Sequence, residues 1–309
     1  MERRGAYYSN LPGETLRTIA AAAFGVGTLA AFAFLPGRWR TSFWFIVAFA
    51  GVLIWWILIP PSNERDWLPE YGRTPYATIN GDLVTVHDIR NFDYQSEENF
   101  AIQYYDKTFN LDDLTSVDFA LSYWDGNTRI AHFIVSFGFR DQDYLAVSVE
   151  TRREVGEKWS AIGGFFKQYE LILILGDERD LLRLRTNFRK DDVYLYRTVL
   201  TPEEGRHIFL NFLRQANRLH ETPEFYNTIT DNCMISLLPG FQEYRKNKSF
   251  DIRLLANGLS DQMAYENGMI ASELAFDDMK RRYYANQNVA DSPGAADYSR
   301  LIRPDLRPQ

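Results

Sequence analysis

Two apolar runs near the N-terminus constrain this chain more than any other feature. Residues 18–35 (TIAAAAFGVGTLAAFAFL) and 42–59 (SFWFIVAFAGVLIWWILI) carry no charged side chain, and each is 18 residues long. That is the lower end of what an α-helix needs to cross a bilayer core. A spanning segment must satisfy its own backbone hydrogen bonds, which a helix does. Trp39, Trp44, Trp55 and Trp56 fall near the ends, where indole rings prefer the membrane–water interface. A signal peptide would end at a small-residue cleavage site, whereas here a second span follows at once. The expectation is a 1–17 leader and a transmembrane hairpin over 18–59, with both ends on one side. Arg38 and Arg40 sit in the connection, Arg3, Arg4 and Arg17 in the leader, so charge alone does not orient it.

Residues 60–75 (PPSNERDWLPEYGRTP) read as a linker leaving the membrane, and 76–282 as one α+β domain. Residues 283–309 are polar and proline-bearing, which predicts an extended tail. Alternating or apolar strands are expected at 82–89, 116–124, 129–139, 143–151, 169–176 and 192–200. Thr201-Pro202-Glu203-Glu204 predicts a helix start, with a capping threonine, an early proline and acids against the dipole. That helix should run to about His220 and bury Ile208, Phe209, Phe212, Leu213, Ala216 and Leu219.

The formal net charge is −7 without a basic stripe, which argues against a nucleic-acid partner. Cys233 is the only cysteine, so no intramolecular disulfide forms, and neither CxxC nor HExxH occurs. No metal site is expected. A lone cysteine is most often a small packing residue. Cys233, however, follows Asp231-Asn232, a capping pair before the apolar Met234, Ile235, Leu237 and Leu238. Placement in a first helical turn favours thiolate, and amides at Asn232 and Cys233 there suit an oxyanion.

A thiol nucleophile needs a base. His207 and His220 lie on the long helix, and His87 in the early strand. His132 lies in AHFIVSF, where Phe133, Val135 and Phe137 form the apolar face and His132, Ile134 and Ser136 the other. In the next strand Leu145, Val147 and Val149 are apolar, leaving Tyr144, Ala146, Ser148 and Glu150 opposite. Parity therefore pairs His132 with an even-numbered residue. A three-residue loop at 140–142 selects Glu150, which could orient the imidazole; other loop lengths select Ser148 or Arg152. A polar pair on a solvated face is the plain alternative. Arg152, Arg153 and Arg185 are candidates for holding a phosphate headgroup, or for ion pairs with Asp177, Glu178 and Asp180.

SYWDGNTRIAHFIVSFGF, LAVSVETRREVGEKWSAIGGFFKQYELILILGDERDLLRLRTNFR, VYLYR and EFYNTITDNC together resemble the Lnb N-terminal periplasmic domain family, from about Asn91 to Arg282. The resemblance implies a permuted papain-like (NlpC/P60-type) domain with an antiparallel sheet and the histidine before the cysteine. It implies a lipoprotein N-acyltransferase chemistry that moves an acyl chain from phospholipid through a cysteine thioester to an amine. The two catalytic roles fall on Cys233 and His132, the domain faces the periplasm at a bacterial inner membrane, and no cofactor is needed. Such acyltransferases carry further membrane helices after the domain, while here the apolar helices precede it. A cysteine peptidase or amidase of the envelope, and a non-catalytic membrane-tethered interaction domain, are the rival expectations on the same fold.

Overall fold

The computed structural model describes residues 14–124, 126–140, 143–160, 162–228, 230, 253, 257–290 and 297–303. The chain divides into two compact units that alternate along the sequence. Unit 1 takes residues 1–70, 151–171 and 223–228; unit 2 takes 71–150, 172–222 and 229–309. The expected 76–282 domain contributes residues to both units.

In unit 1, helix α1 (Glu14–Phe34) and helix α2 (Arg38–Ile57) form the hairpin, turning at Gly37 with φ 89°, a left-handed conformation glycine adopts without a Cβ clash. Phe45 of α2 meets Phe24 and Phe32 of α1. Both helices are long and apolar enough to cross a membrane, and only 6% of either apolar window is buried. A soluble core helix would bury its apolar face, so these surfaces call for an apolar solvent. The expected linker is folded: Arg65 pairs with Glu154 and with the buried Glu170, and the Trp67 backbone bridges to Glu154. Burial raises the Glu170 carboxyl to about 7, against the pull of Arg65 and the Ser62 amide.

Unit 2 is α+β. Its strands are β1 (Tyr76–Asn80), β2 (Leu83–Arg90), the short β3 (Asp93–Tyr94) and β4 (Phe100–Ala101), β5 (Tyr104–Asn110), β6 (Leu114–Tyr123), β7 (His132–Phe139), β8 (Asp143–Arg152), β9 (Glu170–Gly176) and β10 (Asp192–Arg197). Strands β8 and β9 each keep two residues in unit 1. Among the described residues they build an eight-stranded sheet of order β1-β2-β9-β8-β7-β6-β10, with β5 also on β2. Strand β2 pairs with β9 in parallel at Arg90↔Gly176, so the sheet is mixed and not wholly antiparallel as expected. Several strands intervene between β2 and β9, so the two are not held to the antiparallel pairing of a hairpin.

Helix α3 (Glu178–Arg183) continues into a π-helical turn (Leu184–Arg189), and helix α4 (Pro202–Glu221) follows β10. The predicted start of α4 is a full capping box between Thr201 and Glu204, and all six expected core residues are buried. Phe209 and Phe212 pack on Phe137 of β7, covering one face of the sheet. The opposite face of β7 is also covered: Ile134 and Ser136 are buried, and Ser136 donates a 2.5 Å hydrogen bond to Glu178 of α3.

The predicted extended tail is packed where described. Tyr283, Ala285, Val289, Tyr298, Ile302 and Arg303 are buried, with short helices at Asn286–Val289 and Tyr298–Leu301. Composition hid this because the buried residues are few and widely spaced. The leader to residue 13 lies outside the described residues.

Candidate functional site

Strands β7 and β8 pair from Phe139↔Asp143 to Ile134↔Ser148. Continued two residues, that register puts His132 opposite Glu150. His132 Nε2 lies 3.1 Å from Glu150 Oε1 and 2.6 Å from Ser148 Oγ. The Ser148 hydroxyl donates to the same Glu150 oxygen at 2.7 Å, and Arg185 Nη2 donates to it at 3.1 Å. Three donors therefore converge on one carboxylate oxygen.

The cluster is not on a solvated face. Side-chain exposure is 16% for His132, 17% for Glu150 and 6% for Arg185, and Ser148 is fully buried. Burial works against the ionised Glu150, yet His132, Arg185 and Ser148 together hold its carboxyl well below the usual carboxylate range. Burial in turn lowers the Arg185 pKa, with Glu150 opposing.

Arg185 reaches the cluster because of where α3 is held. A six-residue helix is marginal alone, and its charged residues are locked by buried partners. Asp180 accepts from Arg90 Nε at 3.0 Å and Nη2 at 2.8 Å, and from the Phe92 amide at 2.8 Å. Glu178 is paired with Arg303. The π-helical turn then carries Arg185, whose Nη1 donates to the Leu181 carbonyl at 2.7 Å. Single-turn π segments are over-represented at functional sites.

Cys233 and Asn232, with the helix expected after them, lie outside the described residues. Beyond them, Asn257 lies among the described residues, and its Oδ1 accepts from the Ala131 amide at 3.1 Å, one residue before His132. The Gly258 amide donates to the Arg129 carbonyl, and Tyr123 Oη donates to the Gly258 carbonyl at 2.7 Å. A Cβ on Gly258 would fall 2.4 Å from the Arg129 carbonyl carbon and the Thr128 oxygen, both backbone atoms that cannot swing away. Gly258→Ala is therefore expected to destabilise the fold by about 1–3 kcal/mol. Thermal unfolding of the full chain checks this; an unchanged midpoint would mean the Asn257–Gly258 anchor is not tight.

Arg152 and Arg153 belong to unit 1. Arg152 is buried, donates to Asn63 Oδ1 at 2.7 Å and lies 4.2 Å from the Trp67 ring centroid. Arg153 is half-buried and its carbonyl accepts from the Leu68 amide. Ser148 and Arg185 are cluster members that sequence reasoning weighed only as a register alternative and a headgroup candidate. The signal for Ser148 was its parity with Glu150; nothing in the sequence placed Arg185 against that carboxylate. His87 stacks on Tyr76 and pairs with Asp106 at 2.7 Å, while His207 is exposed and His220 Nδ1 donates to the Thr74 carbonyl at 2.9 Å. Among the described residues no group of three or more His, Cys, Asp or Glu gathers in a metal-holding arrangement.

A family model for the Lnb N-terminal periplasmic domain matches residues 101–258, just over half of the chain. The chain belongs to that family. The matched Lnb residues contain the whole cluster and Cys233, and they stop at Gly258, where the chain is pinned beside His132. The Lnb periplasmic domain here follows two helices able to span a membrane, which makes it a membrane-associated periplasmic domain. No curated protein and no solved structure matches the chain.

Proposed function

We propose that this chain is a membrane-anchored cysteine acyltransferase of the bacterial inner membrane, on a permuted papain-like domain, with His132 activating Cys233. The observation that supports it is the convergence of His132, Ser148 and Arg185 on a single Glu150 oxygen. An ionised carboxylate on the Nε2 side favours the tautomer with its proton on Nε2 and its lone pair on Nδ1. The Nδ1 lone pair takes the Cys233 proton, and the thiolate attacks the ester carbonyl of a phospholipid. The C–S bond forms, amides at Asn232 and Cys233 hold the oxyanion, and the ester C–O bond breaks. The lysophospholipid leaves with the proton from the imidazolium. An amine, on a lipoprotein or envelope peptide, then displaces the thiolate from the thioester, and the thiol is restored. The scheme uses no metal or organic cofactor.

The test is intact-protein mass spectrometry after incubating the full chain with phospholipid vesicles. Wild type is expected to gain one acyl-sized adduct that hydroxylamine removes, and Cys233→Ala none. His132→Ala should form it about 10²–10⁴-fold more slowly. A wild-type thiol that gains no adduct and reacts no faster than free cysteine overturns the proposal. Release of free acid alone, with an amine acceptor present, would replace it with hydrolysis.

A further inference from the structure

Residues 155–160 and 162–166 of unit 1 expose an unusual set of side chains. Trp159 is 50% and Ile162 61% exposed, and Val155 and Phe165 are exposed beside them, with Lys158 between. The backbone at the far end of the stretch is nevertheless firmly seated. Gly163 and Gly164 are buried in a one-turn 3₁₀ helix (Gly163–Phe166), and a Cβ on either would fall within 2.2 Å of Gln168 Oε1 or Thr228 Oγ1. The apolar side chains are thus held outward by a packed base.

That base is clamped to the end of a membrane helix. Lys167, in the left-handed region at φ 55°, closes the 3₁₀ turn. Its Nζ donates to the Ile57 carbonyl at 2.9 Å, with Trp56 O at 3.3 Å and Ile59 O at 3.4 Å. Its ammonium also lies 4.9 Å from the Trp56 ring centroid. Those carbonyls end α2, where a spanning helix leaves the hydrocarbon, and Trp55 and Trp56 mark the interface. A loop fixed to that point sits at the level of the membrane surface. We infer that residues 155–160 and 162–166 form a lipid-insertion surface, seating Val155, Trp159, Ile162 and Phe165 in the headgroup–acyl boundary of the leaflet that α2 exits. Lys158 is placed for lipid phosphates at that depth. The occupant is lipid and not protein because Lys167 fixes the loop to the end of a helix whose exposed apolar surface already demands lipid. The inference requires the hairpin to span, and is independent of any acyl transfer.

The test places one fluorophore at a time on the full chain. With Cys233→Ser removing the only native thiol, Ile162→Cys is labelled with NBD and reconstituted in phosphatidylcholine–phosphatidylglycerol vesicles. Val47→Cys in α2 and the exposed Asp112→Cys in unit 2 serve as references. The Ile162 label is expected to be blue-shifted, quenched more by 5-doxyl than by 12-doxyl lipid, and shielded from iodide. Val47 should show the reverse doxyl preference, and Asp112 should be quenched only by iodide. Val155→Cys repeats the measurement in case the Ile162 label disturbs the loop. Labels at 155 and 162 that behave like Asp112, while Val47 is quenched by lipid, overturn the inference. An unquenched Val47 overturns it too, by removing the span on which it rests.

Discussion

Arg303→Met is expected to destabilise unit 2 by about 3–5 kcal/mol, the usual cost of removing one partner from a buried ion pair. Arg303 is buried, and its Nη1 and Nη2 donate to Glu178 at 2.9 and 2.7 Å while Nε donates to Asp118 at 2.9 Å. Its guanidinium lies 3.7 Å from the Tyr144 ring centroid. Burial acts against its charge, but Glu178 and Asp118 more than offset this and raise its pKa above the ordinary arginine value. Methionine fills similar volume and leaves Glu178, which is fully buried, with Ser136 as its one remaining side-chain donor among the described residues. Asp118 keeps Arg197, so the loss falls mainly on Glu178. Since Glu178 opens α3, the damage should travel to Arg185. Thermal unfolding of the full chain in detergent, followed by fluorescence, reads the effect. The double variant Glu178→Met with Arg303→Met should lose less than Arg303→Met alone, because no carboxylate is stranded there. Equal losses would mean that Arg303 acts by packing only.

This anchor shows what the sequence could and could not carry. The alternation in β6, β7 and β8 and the Thr201 cap are local, and local chemistry placed those elements within a few residues. The His132–Glu150 pairing was legible for the same reason, since a loop length and a parity rule fix it. Burial on the second face of β7 was not legible. Ser136 and Ser148 look like solvent-facing positions until Glu178, 42 residues on, accepts from Ser136, and Arg185 joins Ser148 in donating to Glu150 from 35 residues beyond it. Strands β1 and β5 were missed because YATIN and YYDKTFN are polar and short, and their pairing with β2 supplies what their own pattern lacks. Arg303 stands in a stretch whose composition predicts no packing at all. Long-range charge pairing leaves no periodic trace, so a tail that locks the sheet is read as a tail that leaves it.

Glu150→Gln separates a positioning role for this carboxylate from a merely structural one. Glutamine keeps the size and an acceptor oxygen but removes the charge that faces His132. The imidazolium formed when Cys233 is deprotonated then loses its stabilising partner, and thioester formation should slow by on the order of 100-fold or more. The sign of the pH dependence follows from the lowered Glu150 pKa. Its ionised form supplies stability above the unfolded carboxylate value, 4.5, and that stability is lost only as pH falls through the lower folded value. Between pH 5 and 8 wild-type Glu150 therefore holds one charge state, and the acid limb of the adduct-formation profile reports another group. If that group is His132 facing a carboxylate, Glu150→Gln should move the limb to lower pH. The variant also strands the Arg185 charge, so its unfolding midpoint should fall, and rates are compared below that midpoint. A slower rate with an unmoved pH limb would assign Glu150 to holding Arg185 and the π-helical turn in place, leaving His132 to find its orientation from Ser148.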